Sequence, residues 1–414
     1  MDLIIGAGIS GLSYANFTNN DYIIIEKDAE IGGYCKTIKQ DGFVWDYSGH
    51  FFHFRNKEIQ DYILSCMEEQ EILRVEKKSQ VYYKGNYIDF PFQKNIHQLE
   101  KDEFVDCLYD LFYNDFTKMN TFKEMLYAKF GKSIAEKFLI PYNEKLYAVD
   151  VDKLDIDAMG RFFPYADKLE IIKNFKHPDS SSYNATFTYP RGGAIEYVNS
   201  LFKRIDDNKL ELNEQLIKID FNKKIAKTNT KEIKYDRIIS SIPLPSLINL
   251  CQIDCDINNF SWNQVLVFNL GFDKKGADIT NNWVYFPEQD YCFYRIGYYD
   301  NIFDDNRLSL YVELGFDKQA RINQDELLKR VLIDLQKANI ITDHKLISYH
   351  SVVMNPAYVH VSKNSEREKN IIKEKLEKNE VYSIGRYGDW KYCSIEDNII
   401  EAKELALKIN SNKY

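Results

Sequence analysis

No stretch of the 414 residues approaches the ~18 consecutive apolar positions of a membrane-spanning helix, so no membrane span is expected. Positive charge is not in excess either: 54 Lys+Arg stand against 63 Asp+Glu, a formal net charge of −9. Phosphate neutralisation needs a cationic surface, which argues against nucleic acid as a general partner. Glycine and proline are few, 18 and 9, too few for extended disorder. Cysteine is sparse and scattered (Cys35, Cys66, Cys107, Cys251, Cys255, Cys292, Cys393). The only close pair, Cys251 and Cys255, has no His or Cys at zinc-site spacing, so no metal is expected and the thiols read as reduced, in a cytoplasmic protein. Met1 leads within two residues into a strand-like stretch, which leaves no room for a signal peptide. What the chain has in quantity is apolar material, 44% hydrophobic with 30 Tyr and 26 Phe. That suffices for large cores, and at roughly 150 residues per domain the length allows two or three domains.

The N-terminus carries the sharpest signal. Leu3-Ile4-Ile5 reads as a buried parallel strand and runs straight into Gly6-Ala7-Gly8-Ile9-Ser10-Gly11, a GxGxxG turn followed by helical periodicity. A second apolar run, Tyr22 to Ile25, ends in Glu26, twenty residues beyond Gly6. Gly6 permits the tight turn, Gly8 lets backbone approach a pyrophosphate, and Gly11 lets helix and strand pack. The helix N-terminus offers free N–H groups to phosphate, and Glu26 would accept from a ribose diol. Lys27 follows, then a second doublet, Gly32-Gly33. That doublet resembles the motif of FAD enzymes of the amine oxidase and protoporphyrinogen oxidase type, which favours FAD over NAD.

Further strands at 235–243 and 381–386 meet the same sheet from far along the chain, and Ser394 with Asp397 forms a capping box for a closing helix. Its N-terminus would suit the flavin edge where negative charge collects on reduction. The expected fold is α/β: a Rossmann-like FAD-binding domain from discontinuous segments (1–78, 188–250, 351–414), a helical insertion domain (97–187), and an antiparallel β-sheet substrate domain (79–96 and 251–350). Residues 363–378 read as a solvated helix, since glutamates interleave with the lysines.

Six segments in order extend this reading. They are Asp46 to His53, Asp89 to Ile96, Pro141 to Val149, Tyr183 to Gly193, Trp283 to Arg295 and Gly385 to Tyr392. Together with the glycine motifs they resemble UDP-galactopyranose mutase, closer to its eukaryotic-type branch. The resemblance implies a redox-neutral isomerisation of a nucleotide-sugar, by default UDP-galactopyranose and UDP-galactofuranose, for surface glycan biosynthesis. In it, N5 of reduced FAD attacks the anomeric carbon. It also implies NAD(P)H or a separate reductase as electron donor, and a homo-oligomer is compatible with it.

The same resemblance implies roles. Arg295, Tyr358 and Tyr392 would hold the substrate diphosphate, and His50 would sit beside the isoalloxazine, these four forming the catalytic set. Tyr285, Asn184, Gln93, Asn143, Arg161 and Tyr147 would bind substrate. Gly6, Gly8, Gly11, Glu26, Lys27, Gly33, Gly49, Gly385, Arg386 and Ser394 would bind the cofactor. Three departures lie on the nucleotide side: Arg161 stands one place early, Phe90 replaces a tyrosine, and Tyr147 replaces a tryptophan. Other nucleotide-hexoses therefore remain open as substrates, and an oxidase or desaturase, or a catalytically silent flavin-binding protein, are the rival readings.

Overall fold

The structure, a computed structural model, describes residues 1–176 and 185–411. Its first layer is a five-stranded, all-parallel sheet in the order Val381–Ser383, Arg237–Ser240, Asp2–Ile5, Tyr22–Ile25, Leu210–Glu211. The strands are short and apolar because both faces are covered, as parallel sheets require. On one face Leu12, Tyr197, Ile399 and Ala402 pack against Ile4 and Ile24; on the other, Leu244, Ile248, Ile372 and Leu376 pack against Leu3 and Ile25. Asp2 is fully buried in this sheet and holds Tyr14 Oη (2.7 Å), Asn20 Nδ2 (2.9 Å) and Arg237 Nη1 (3.0 Å). A buried carboxylate is tolerable only with such partners.

Helices Ile9–Phe17 and Ile395–Ser411 lie side by side on this sheet. Ser10 Oγ bonds Asn398 at one end (3.2 Å), and Asn410 Nδ2 bonds the Phe17 carbonyl at the other (3.0 Å), so the two helices run parallel. Their N-termini therefore point the same way.

The second layer is an eight-stranded sheet containing, in order, Leu346–Met354, Ser261–Phe272, Ser309–Asp317, Arg295–Tyr298, Trp283–Tyr285, Ser79–Tyr83 and Asn86–Asp89, with Val359–His360 added beside Ser261–Phe272. Two features differ from the sequence reading. Trp283–Tyr285 runs parallel to Ser79–Tyr83, so the sheet is not wholly antiparallel. Its last strands also lie beyond residue 350, because the long strand Ser261–Phe272 has a free edge that Leu346–Met354 fills. Leu266, Phe268 and Val312 bury one face under helix Gln324–Lys337; Val265, Val267, Trp283 and Tyr285 line the other.

Helices Lys101–Phe112, Phe122–Ile134, Ile140–Tyr147 and Lys168–Lys176 make the helical lobe over that second face. Cys107 and Leu111 form the buried stripe of the first of these helices. Thr186–Pro190, at the end of the expected helical range, instead pairs with Ile72–Glu76. A three-stranded sheet, Leu216–Asp220, Ile225–Thr228 and Glu232–Lys234, was not foreseen. The charged helix is Lys363–Glu377 and buries Ile372 and Leu376. All seven cysteines are free. Among the described residues no helix is long and apolar enough to cross a membrane, and no three His, Cys, Asp or Glu are grouped to hold a metal.

Candidate functional site

The carboxyl ends of the parallel strands carry the glycine turns. Gly6 has φ of +99°, and a Cβ there would stand 2.4 Å from Ser241 Oγ; at Gly11 it would stand 2.0 Å from the Gly6 carbonyl oxygen. Both positions therefore exclude any side chain. Gly8 differs. The nearest atoms a Cβ there would meet are those of the Gly32-Gly33 backbone, at 3.8 Å and beyond, and one on Gly33 would meet only Gly8 Cα at 3.7 Å. The two loops face each other with flush backbones, and any side chain at either position would fill the space between them. Helix Ile9–Phe17 has no side-chain cap, which leaves its leading N–H groups open to this space.

Glu26 is buried at the end of the second strand. One carboxylate oxygen accepts from Ala7 N–H (2.8 Å) and the other from Asp28 N–H (3.0 Å), so its plane is set by the glycine turn itself. Lys27 beside it is exposed.

The last segment joins this cradle. Gly385 has φ of +84°, and a Cβ there would stand 2.3 Å from Ser10 Oγ. Asn398 Oδ1 accepts from both Ser10 Oγ (3.2 Å) and Arg386 N–H (2.7 Å), tying the first helix, the closing helix and Arg386 together. Tyr34, directly after the glycine doublet, meets Tyr387 edge-on at 5.5 Å. Ser394 and Asp397 form the expected capping box (2.8 and 3.1 Å). Arg161 reaches the same Asp397 with two 2.6 Å contacts, so this guanidinium rests on the start of the closing helix.

Beside the cradle lies a cluster of cations and phenols. The Arg386 guanidinium lies 5.1 Å from the Tyr358 ring centre and 4.6 Å from that of Tyr392, and the two rings stack 5.9 Å apart at 15°. Arg386 Nη1 donates to the Cys393 carbonyl (3.3 Å), while its buried Nε has no partner among the described residues. Phe162 meets Tyr392 edge-on at 4.9 Å, and Tyr147 meets Tyr358 at 5.7 Å with its own buried hydroxyl unpartnered among the described residues. Orphaned buried donors of this kind mark a place where a polar ligand would complete the bonding.

Arg295 lies close enough to this group for its charge to act on Tyr358. It forms a fork with Glu313, Nε–Oε2 at 2.6 Å and Nη2–Oε1 at 2.9 Å, and the Glu313 side chain is 1% exposed. Ser48 Oγ also donates to Glu313. The strand register sets Arg295 opposite Glu313. The fork uses one edge of the guanidinium, and Nη1 has no hydrogen-bond partner among the described residues. The Arg295 charge also reaches Tyr358: burial pushes that phenol up to about 12, and the nearby guanidinium moderates the rise. Burial likewise lifts Tyr285 to about 12.

His50 donates Nδ1–H to the Ser48 carbonyl (2.9 Å), which makes Nε2 the acceptor of a neutral ring. Burial pulls this imidazole down to about 4, and the positive charge of Arg386 and Arg295 adds to the effect. The preceding Gly49 is required because a Cβ would stand 2.6 Å from Tyr311 Oη.

Tyr285 lies on the wall of this site. Its hydroxyl accepts from Trp283 Nε1 (2.6 Å), and its ring meets Tyr142 (5.1 Å) and Phe90 (4.8 Å). Gln93 and Asn143 are buried in the helical lobe, bonded to the Pro164 and Leu139 carbonyls, each with its own amide oxygen unpartnered among the described residues. Asn184 lies outside the described residues.

Sequence reasoning missed two members. Glu313 was hidden in an apolar strand, where a lone carboxylate was the available signal. Lys77 holds its ammonium 5.4 Å from Phe90 and 5.7 Å from Trp283, and burial lowers it to about 8.

Comparison with known proteins agrees with this arrangement. Residues 4–64 match the NAD(P)-binding Rossmann-like domain family. The crystal structure of reduced UDP-galactopyranose mutase superposes with a TM-score of 0.92 and 23% identity, over 99% of this chain and 95% of that one. A protein from Exiguobacterium sp. 255-15, provisionally described as a protoporphyrinogen oxidase, gives 0.81 and 15% over 100% and 99%. Cyclohexylamine oxidase from Brevibacterium oxydans IH-35A gives 0.72 and 13% over 99% and 98%. At these identities the likeness concerns architecture, and in architecture the chain has the fold of UDP-galactopyranose mutase.

Proposed function

We propose that the protein is a flavin-dependent isomerase that interconverts the pyranose and furanose forms of a nucleotide-sugar, with UDP-galactose the default substrate. The observation that carries this reading is the convergence of Arg386, Tyr358 and Tyr392 beside the glycine cradle, with the charge of Arg295 near enough to act on Tyr358.

The residues present fit FAD. Gly8 and Gly33 leave room for a diphosphate between two backbones, Glu26 is aimed for a ribose diol, and two helix N-termini point the same way. Bound and reduced, the flavin would supply the nucleophile for the anomeric carbon, with NAD(P)H or a separate reductase as electron source.

The chain's own groups then have defined tasks. The free Nη1 edge of Arg295 and the hydroxyls of Tyr358 and Tyr392 would hold the departing nucleotide diphosphate for its return. Charge-assisted bonds of this sort contribute about 1.5–3 kcal/mol each. Tyr358 remains a neutral donor at physiological pH because its phenol is pushed up to about 12. Neutral His50 offers Nε2 as an acceptor and adds no charge to the site.

The electrostatics disfavour an amine oxidase. Two guanidinium groups face the site, and Glu313 is already claimed by Arg295, so an ammonium substrate would meet net repulsion. Anaerobic incubation of dithionite-reduced protein with a panel of nucleotide-sugars, UDP-galactofuranose first, tests the proposal. Ring isomerisation without oxygen supports it; turnover that requires oxygen and yields peroxide supports an oxidase.

A further inference from the structure

Helix Ile140–Tyr147 ends at Ala148, whose φ of +51° turns the chain out of the helix and leaves the last carbonyls without partners inside it. Two of those carbonyls are taken by side chains from the second layer. Asn263 Nδ2 donates to the Leu146 carbonyl (2.6 Å), and His360 Nε2 donates to the Tyr147 carbonyl (2.9 Å). A carbonyl can only accept, so the His360 proton sits on Nε2, and Nδ1 is left to accept from Ser261 Oγ (3.1 Å). Ser261 and His360 stand opposite each other in the strand register, so both caps come from one seam.

Asn263 does more than cap. It is fully buried, and its Oδ1 accepts from the Tyr358 N–H (2.7 Å). Its own N–H donates to the Tyr358 carbonyl (3.0 Å), and its carbonyl accepts from the Ala357 N–H (3.0 Å). Its polar groups are therefore engaged at two places, the end of the helix and the backbone of Ala357 and Tyr358. Tyr147 follows Leu146 directly, and its ring meets that of Tyr358 at 5.7 Å and 70°, while Tyr358 stacks on Tyr392. One amide thus sets the spacing of the two backbones that carry Tyr147 and Tyr358. Such a bridge needs a donor and an acceptor on the same short side chain. Leucine there would strand both the Tyr358 N–H and the Leu146 carbonyl.

We infer that Asn263 is a positioning residue for the grip on the substrate diphosphate, holding Tyr358 and Tyr147 in place from outside the site, with His360 as a second support. The inference rests on the proposed role of Tyr358.

Asn263→Asp makes it testable, because a protonated carboxyl offers an O–H to Leu146 and a C=O to Tyr358, whereas a carboxylate meets the Leu146 carbonyl with repulsion. Burial raises such a group, as it does Asp46, to about 6, and Asp300, to about 7. The charges that act on this corner are Asp317, opposite Asn263 in the strand register, Lys153 and Lys318. His360 is held down to about 4 by burial and stays neutral above it. Calorimetry on the FAD-loaded full chain should follow binding of UDP, with GDP and dTDP in parallel, at pH of about 5.5 and about 8. Relative to wild type at the same pH, Asn263→Asp should bind within ~3-fold at the lower value and ~10-fold or more weakly at the higher, reversibly, with flavin retained. Asn263→Leu should be ~10-fold or more weaker at both. A ratio to wild type that does not change with pH, leucine binding like asparagine, or flavin lost from Asn263→Asp at the higher pH would each overturn the inference alone. A wild-type protein that binds none of the three nucleotides would overturn the proposed function and the inference with it.

Discussion

Glu313 gives the sharpest test of how the site is built. Its two oxygens receive three donors, Nε and Nη2 of Arg295 and the Ser48 hydroxyl, at a position 1% exposed. Glu313→Ala leaves the guanidinium half-buried without its counter-charge, which by analogy with other broken buried pairs costs about 3–5 kcal/mol. Glu313→Gln keeps one acceptor for the guanidinium and can donate to Ser48 Oγ, so it should cost roughly half as much. Urea unfolding of both variants should give the order wild type, Gln, Ala in midpoint. Function should separate from stability: with Arg295 no longer held by its fork, turnover should fall in Ala more than in Gln, while flavin content stays unchanged. An Ala variant as stable and as active as wild type would refute the idea that Glu313 orients Arg295.

Other consequences follow from the same geometry. Arg295→Ala should reduce isomerase turnover ~10²-fold or more without loss of FAD, read by steady-state kinetics and flavin absorbance. Gly8→Val should give colourless protein, because the side chain enters the gap facing Gly33. His50, His53 and His360 are each held down to about 4 by burial, below the ordinary imidazole value of about 6.5. Unfolding then takes up protons in that window, so the stability these rings contribute is complete above pH ~6.5 and is lost as pH falls toward ~4. His50→Gln should flatten part of that acid limb in a thermal-melt series across pH, and an unchanged limb would count against the burial argument.

How much of this was legible in the sequence depended on distance along the chain. The glycine cradle, Glu26 and the Ser394–Asp397 cap are local patterns, and their geometry follows from a few adjacent residues. The cluster of Arg386, Tyr358 and Tyr392 came only through resemblance; a tyrosine in so tyrosine-rich a chain carries no positional signal of its own. Glu313 is opposite Arg295 because two strands pair in one register, and strand register is a tertiary fact. The parallel seam between Trp283–Tyr285 and Ser79–Tyr83 was hidden for the same reason. Arg161 was weighed as a ligand to substrate, yet the structure seats it on Asp397, where the closing helix begins.

The central claim is a redox-neutral isomerisation that requires the reduced cofactor. It is tested most directly by following flavin absorbance in a sealed, oxygen-free cuvette while UDP-galactofuranose or another nucleotide-sugar is converted. The account predicts many turnovers per flavin, with the oxidised flavin band absent throughout and no activity before reduction. Conversion that consumes one reduced flavin per sugar, or that proceeds with oxidised flavin alone, would contradict it.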